Sequence, residues 1–291
     1  MMRASRTFLL VVAGLLLPVL LATIIFFGAP LGLLGLESVH RHASGGSGAL
    51  AVSYGRLLAH PVYRRLLGET FKLAALCTVF CLVAGYPLAW GLRIASDWLR
   101  RLLVLGVFAP LLVSVVLRSF GWLVVLGEFG LVNLVLRTLR LEAELTRRSH
   151  LMSELALLGG MVQVFFPFMV LALYGAVQKI DLALVQAARS LGATRWRAFV
   201  EVVLPLSLPG AAAGVVTVFA LATGAFITVA VAGGVRVRSM AEWAYEESNT
   251  LISWQLGAAL VVTLLFGVAI LVRLLLLGVR RPDEARQGLR P

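Results

Sequence analysis

The chain has 291 residues, 60% of them hydrophobic and 14% charged, and a net charge of +12 at pH 7. That balance is too apolar for an ordinary soluble domain and suits one polytopic membrane domain, so the bilayer is read as its solvent. The positive charge does not imply a nucleic-acid partner, because the basic residues lie between long apolar runs and never gather with aromatics on a polar domain.

A helix needs roughly 20 apolar residues to cross about 30 Å of hydrocarbon. Six runs meet that length, at 8–28, 69–92, 102–126, 151–177, 205–232 and 255–277, which predicts an all-α polytopic membrane protein with six transmembrane helices. The first run follows a short basic start (Arg3, Arg6) and is open to two readings, a signal peptide or a retained helix. Its length and the lack of a clear small-residue cleavage site favour the helix. The segment 29–68 contains the Gly- and Ser-rich stretch HRHASGGSGALAVSYG and lacks strong periodicity. Residues 1–65 are therefore read as an N-terminal helix with an outer loop, 66–278 as a five-helix core, and 279–291 as a polar tail.

In the second run Cys77 and Cys81 are four apart. They share a helix face but not disulfide geometry, and read as small packing residues. Arg118 lies within the third run, where it either snorkels to the interface or lines a water-filled path. Glu69, Glu128 and Glu154 lie at run ends and read as interfacial carboxylates or as contributors to a path. Lys and Arg are denser in the termini and in loops 93–101 and 178–204 than in loops 29–68, 127–150 and 233–253. That bias predicts an inner-membrane orientation with both termini and 178–204 in the cytoplasm.

Several chemistries lack their residues. The two lysines are followed by Leu73 and Ile180, not by the Ser or Thr of a phosphate-binding loop, so no Walker-type ATPase resides here. The runs carry no acid near their centres of the kind used by ion-coupled carriers. His40, His42, His60 and His150 fall outside the runs, and neither a metal-ligand cluster nor a nucleophile–base arrangement is legible.

The segment 178–204 is the exception to this uniform apolarity. From Asp181 onward Leu182, Val185, Ala188 and either Ala187 or Leu191 recur at helical spacing, with Asp181 placed to begin the helix. Gly192 offers the left-handed position that ends a helix, and Thr194 a cap for a second one. There Trp196, Phe199, Val200 and Val203 form an apolar stripe opposite Arg197 and Glu201. Pro205 is expected to break or restart the chain where it re-enters the membrane. Physics alone leaves two readings of this hairpin, an interfacial helix anchored by Trp196 or a docking element presenting Ala187, Ala188 and Gly192 to a peripheral protein.

The stretch QAARSLGATRWRAFVEVVLP resembles the cytoplasmic loop motif of binding-protein-dependent ABC importer permeases: Glu-Ala-Ala, three residues, Gly, nine residues, then Ile-x-Leu-Pro. Ala187, Ala188 and Gly192 match, and Val202, Val203, Leu204 and Pro205 supply the ending. Gln186 stands where the family usually has glutamate, and keeps the size and hydrogen bonding without the charge. The stretches GYPLAWGLR, VLRSFGWLVVLGEFGLVN, VFFPFMVLALYGAVQKID and ATGAFITVAVAGG are similar to the spermidine/putrescine branch, in particular its first permease subunit.

That resemblance implies a type I ABC importer permease fold, paired with a second, unlike permease, two copies of a cytoplasmic ATP-binding subunit and an external solute-binding protein. ATP and Mg would be bound by the ATPase, and no cofactor by this chain. Gln186, Ala187, Ala188, Arg189, Gly192, Ala193, Arg195, Leu204 and Pro205 are the expected ATPase-coupling residues. For a polyamine solute the expected path residues are Trp122, Glu128, Glu154, Tyr174 and Phe226, with Arg118 arguing against a purely cationic path. A secondary transporter or channel working without an ATPase is the alternative.

Overall fold

The computed structural model describes residues 17–39, 54, 55, 57, 60–126, 130, 131, 134, 135, 142–232, 239–249 and 254–287. These residues form helices and turns, with no strand among them. Among them five helices are long and apolar enough to cross a bilayer, and a sixth crossing results if a bent pair is taken as one span.

Helix α1 (Leu17–Ser38) starts the described chain. It continues past residue 28, where the first span was expected to end, and so enters the segment expected to be a loop. Pro30 does not stop it because a π-helical turn, Ile24–Gly28, precedes the proline and the Ala29 N–H bonds back five residues to the Ile24 carbonyl. The widened turn makes room for the ring and absorbs the missing N–H. Helix α2 (Pro61–Ile94) begins on a proline at its first position, which has no N–H to satisfy, and so starts well before residue 69.

The third expected span is not one helix. It is divided into α3 (Asp97–Phe108) and α4 (Val115–Leu126), with a 3-10 turn, Ala109–Leu112, between them and a bend of 100°. Pro110 lies in that turn and Val113 after it is extended, so the helical hydrogen-bond ladder is interrupted. Hydropathy alone registers no such break, because Pro110 is flanked by apolar residues. Helix α5 (Glu142–Val177) is followed by α6 (Leu182–Ser190), α7 (Arg195–Ala198), a π-helical turn (Phe199–Val203) and α8 (Leu204–Thr223). The fifth span, expected to run unbroken to residue 232, stops at Gly224, and α9 (Phe226–Ala232) follows as a separate short helix. Helices α10 (Met240–Asn249) and α11 (Trp254–Gln287) complete the order.

The chain divides into two units, Met1–Pro61 with Trp243–Thr263, and Val62–Glu242 with Leu264–Pro291. In the first, Tyr54 donates its hydroxyl to Ser38 Oγ at 3.0 Å, Ser38 donates to the Gly35 carbonyl, and Ala258, Ala259 and Leu260 are buried. In the second, α2, α5 and α8 form the core: Ala74, Cys77 and Cys81 meet Leu157, Met161 and Met169, and Val218 and Phe219 close the layer. Both cysteines are free and fully buried, as packing residues are. Helices α5 and α8 approach closely because Gly210 has no side chain; a Cβ there would collide with Ala176 Cβ and lie 3.2 Å from the Ala172 carbonyl. Buried hydroxyls are satisfied locally, as where Thr78 donates to the Ala74 carbonyl at 2.7 Å.

Candidate functional site

The polar segment 178–204 folds as two short helices meeting at a tight corner. Asp181 caps α6 by accepting the Ala183 N–H at 2.9 Å, and Thr194 caps α7 by accepting the Arg197 N–H at 3.2 Å. Between them Gly192 has φ +91°. The Ala193 N–H bonds to the Ala188 carbonyl at 3.1 Å and the Gly192 N–H to the Arg189 carbonyl at 3.0 Å, the paired bonds of a Schellman end. A Cβ at Gly192 would meet nothing within 4 Å, so glycine is needed here for its backbone conformation and not for space.

The outer side of this hairpin is open. Gln186, Ala187, Arg189, Gly192 and Arg195 are exposed, and so are the apolar Leu184 (50%), Leu191 (90%) and Trp196 (73%). Ala188, Ala193 and Leu204 are half-buried, and Pro205 is exposed. The expected apolar stripe divides: Val203 is buried and Phe199 half-buried, whereas Trp196 and Val200 face outward. The π turn, which widens the helix from residue 199, parts Val200 from Val203, whereas Trp196 lies before that turn. The same turn corrects the expectation for Pro205. The Leu204 N–H bonds to the Phe199 carbonyl five residues back, and the helix runs through the proline without a break. Arg197 and Glu201 pair at 2.7 Å on the exposed side.

The root of the hairpin is aromatic, which the sequence pattern did not indicate beyond the four-residue spacing of Tyr86 and Trp90 on α2. Phe199 stacks on Trp196 at 5.8 Å, meets Trp90 at 6.1 Å and takes the edge-on ring of Tyr86 at 6.0 Å. Val177, Ile180 and Val203 pack beneath, against Trp90, Val185 and Phe199. Ser207, fully buried, donates to the Leu204 carbonyl at 3.0 Å, so its oxygen accepts the Tyr86 hydroxyl at 3.1 Å.

Of the path candidates, Arg118 and Trp122 lie one turn apart on α4. Arg118 is 9% exposed, and its Nε and Nη1 have no hydrogen-bond partner among the described residues. Trp122 donates Nε1 to Gln163 Oε1 at 2.7 Å, a partner on α5 missed in the sequence. Its ring lies over Gly159 and Gly160, where Thr228 of α9 also arrives. Phe226 begins α9 half-buried, and Glu154 is exposed on α5. Tyr174 is not part of this group: it packs with Leu92, Val107 and Val170, roughly 20 Å along α5 from Gly160 at 1.5 Å per residue. Glu128 lies outside the described residues.

Comparison with known proteins agrees with this architecture. Residues 78–281 match the family described as binding-protein-dependent transport system inner membrane component. The spermidine/putrescine transport system permease protein PotB of Haemophilus influenzae is 32% identical, over 74% of each chain. PotB of Escherichia coli is 32% identical over 76% of this chain and 80% of its own. The molybdenum transport system permease protein ModB of Escherichia coli is 31% identical over 58% of this chain and 71% of its own. Among solved structures, a chain of a bacterial ABC transporter involved in the import of the acidic polysaccharide alginate superposes with a TM-score of 0.77 at 19% identity, covering 95% of this chain and 96% of that one. At that identity the likeness bears on the fold. On the family match and the PotB identities together, the chain belongs to the binding-protein-dependent transport system inner membrane components.

Proposed function

We propose that this chain, an inner-membrane permease subunit of an ABC importer, forms half of a solute path and is driven through the 178–204 hairpin by a separate ATPase. The observation that carries this reading is the exposed side of that hairpin, where Leu184, Leu191 and Trp196 are left uncovered around small residues Ala187 and Gly192. Exposed apolar groups on a polar, capped corner suit a partner protein's groove. The ATPase holds ATP and Mg and performs the hydrolysis; this chain contributes binding surfaces and movement. Its partners are a second, unlike permease, two ATP-binding subunits and an external solute-binding protein, and both termini lie in the cytoplasm. A docked hairpin moves the bundle only if its contacts differ between nucleotide states.

For the solute we propose a polyamine of the spermidine or putrescine kind. Its support is the PotB relatives at 31–32% identity, whose systems transport those amines. Glu128, Glu154, Trp122 and Phe226 are the proposed path residues, with carboxylates and aromatic faces meeting a cation. Uptake of labelled putrescine should fall when Glu128 and Glu154 are both changed to glutamine, and unchanged uptake removes them from the path. The docking reading is tested by purification: an ATP-binding subunit comes down with the wild-type chain and is lost from Gly192→Asp. Retention of that subunit, with full uptake, by the variant overturns the assignment.

A further inference from the structure

Helices α5 and α8 run covalently into the hairpin, but α2 does not; the Tyr86–Ser207 contact spans 121 residues of sequence. Whatever force reaches α2 from the hairpin must therefore pass through packed side chains. We infer that Tyr86, Trp90, Phe199 and Ser207 are positioning residues for coupling, clamping the hairpin root to α2 so that the two move as one body. The inference rests on the docking role proposed for the hairpin.

The arrangement is a continuous relay. Trp196 is 73% exposed on the side proposed to receive the ATPase, and its inner face stacks on Phe199 at 23° between planes. Phe199 passes the contact to Trp90 and Tyr86, both on α2 and one turn apart. The buried Tyr86–Ser207–Leu204 hydrogen-bond chain then ties α2 to the first turn of α8. The need for such a clamp follows from the local backbone. The π turn Phe199–Val203 and the link between Val177 and Leu182 are the places where a lever of this length would bend. Phe199 lies in the first of them, and Ile180, in the same small cluster, in the second. Closely packed side chains transmit displacement because they have few voids to absorb it.

The test uses the assembled transporter with its ATP-binding subunit, in lipid. Spin labels are placed on the hairpin at Ala183→Cys and on α2 at Val83→Cys, both exposed, with Cys77 and Cys81 changed to alanine. The label separation is measured without nucleotide and with ATP trapped by a hydrolysis-deficient ATPase. In the otherwise unchanged chain the separation stays narrow and does not shift with ATP. In Phe199→Leu it broadens and shifts with ATP, in Tyr86→Phe it does so to a smaller extent, and Phe199→Tyr restores the narrow distribution. A separation that shifts with ATP in the unchanged chain, or stays narrow and fixed in Phe199→Leu, overturns the clamp. Absence of the ATP-binding subunit from the wild-type preparation overturns the docking role instead, so the two failures are distinguishable.

Discussion

Gly192 separates conformational from electrostatic effects at a single position. Its φ of +91° costs an L-residue such as alanine about 1–2 kcal/mol, while the space around it is open. Gly192→Ala should thus lower the population of the hairpin's present corner by a factor of about 5–30 without disturbing the bundle. Asparagine tolerates the left-handed region better and should fall between glycine and alanine. Aspartate has asparagine's shape with a charge. If the corner is covered on docking, its carboxylate adds a desolvation cost of several kcal/mol, and each 1.4 kcal/mol weakens association tenfold. The expected order of ATP-binding subunit recovered, and of ATP-driven putrescine uptake in proteoliposomes, is Gly, Asn, Ala, Asp. Membrane insertion and thermal melting of the chain should be the same for all four. Equal recovery for asparagine and aspartate would refute a covered corner, and a lowered melting temperature for alanine would refute the claim that the cost is confined to the hairpin.

Gly210→Ala should destabilise the α5–α8 pair by about 1–3 kcal/mol through overpacking against Ala176, and Ala176→Gly in the same chain should restore much of the melting temperature. Failure of that rescue would mean the two positions do not limit the approach. Trp122→Phe removes the bond to Gln163 and should cost about 0.5–1.5 kcal/mol in thermal or denaturant unfolding. Arg118→Met keeps the length of the side chain but removes a buried charge whose Nε and Nη1 have no hydrogen-bond partner among the described residues. It should raise the melting temperature; a lowered melting temperature would show that the guanidinium is satisfied within the bundle.

Much of the architecture was legible because its causes are local. Apolar runs of membrane length located the helices, and Asp181, Gly192 and Thr194 gave the caps and corner of the hairpin by their own backbone preferences. The spacing of Ala187, Ala188, Gly192 and Pro205 carried the family resemblance that the comparisons then bore out. Prolines were harder to read. Pro110 breaks the third run, yet Pro30 and Pro205 are each absorbed by a π turn ending two residues earlier. Hydropathy is blind to that difference, since all three prolines sit among apolar neighbours.

From the sequence alone came an all-helical membrane chain, its approximate crossings and a capped polar hairpin, since partition into lipid and hydrogen bonding within a turn depend on residues close together. Only the tertiary structure decided that Phe199 sits between Trp196, Trp90 and Tyr86, that Trp122 bonds Gln163, and that Tyr174 lies far from them both. Apart from the local Trp196–Phe199 stacking, those contacts join residues tens to more than a hundred positions apart, and they are set by how helices pack once formed, which no local preference specifies.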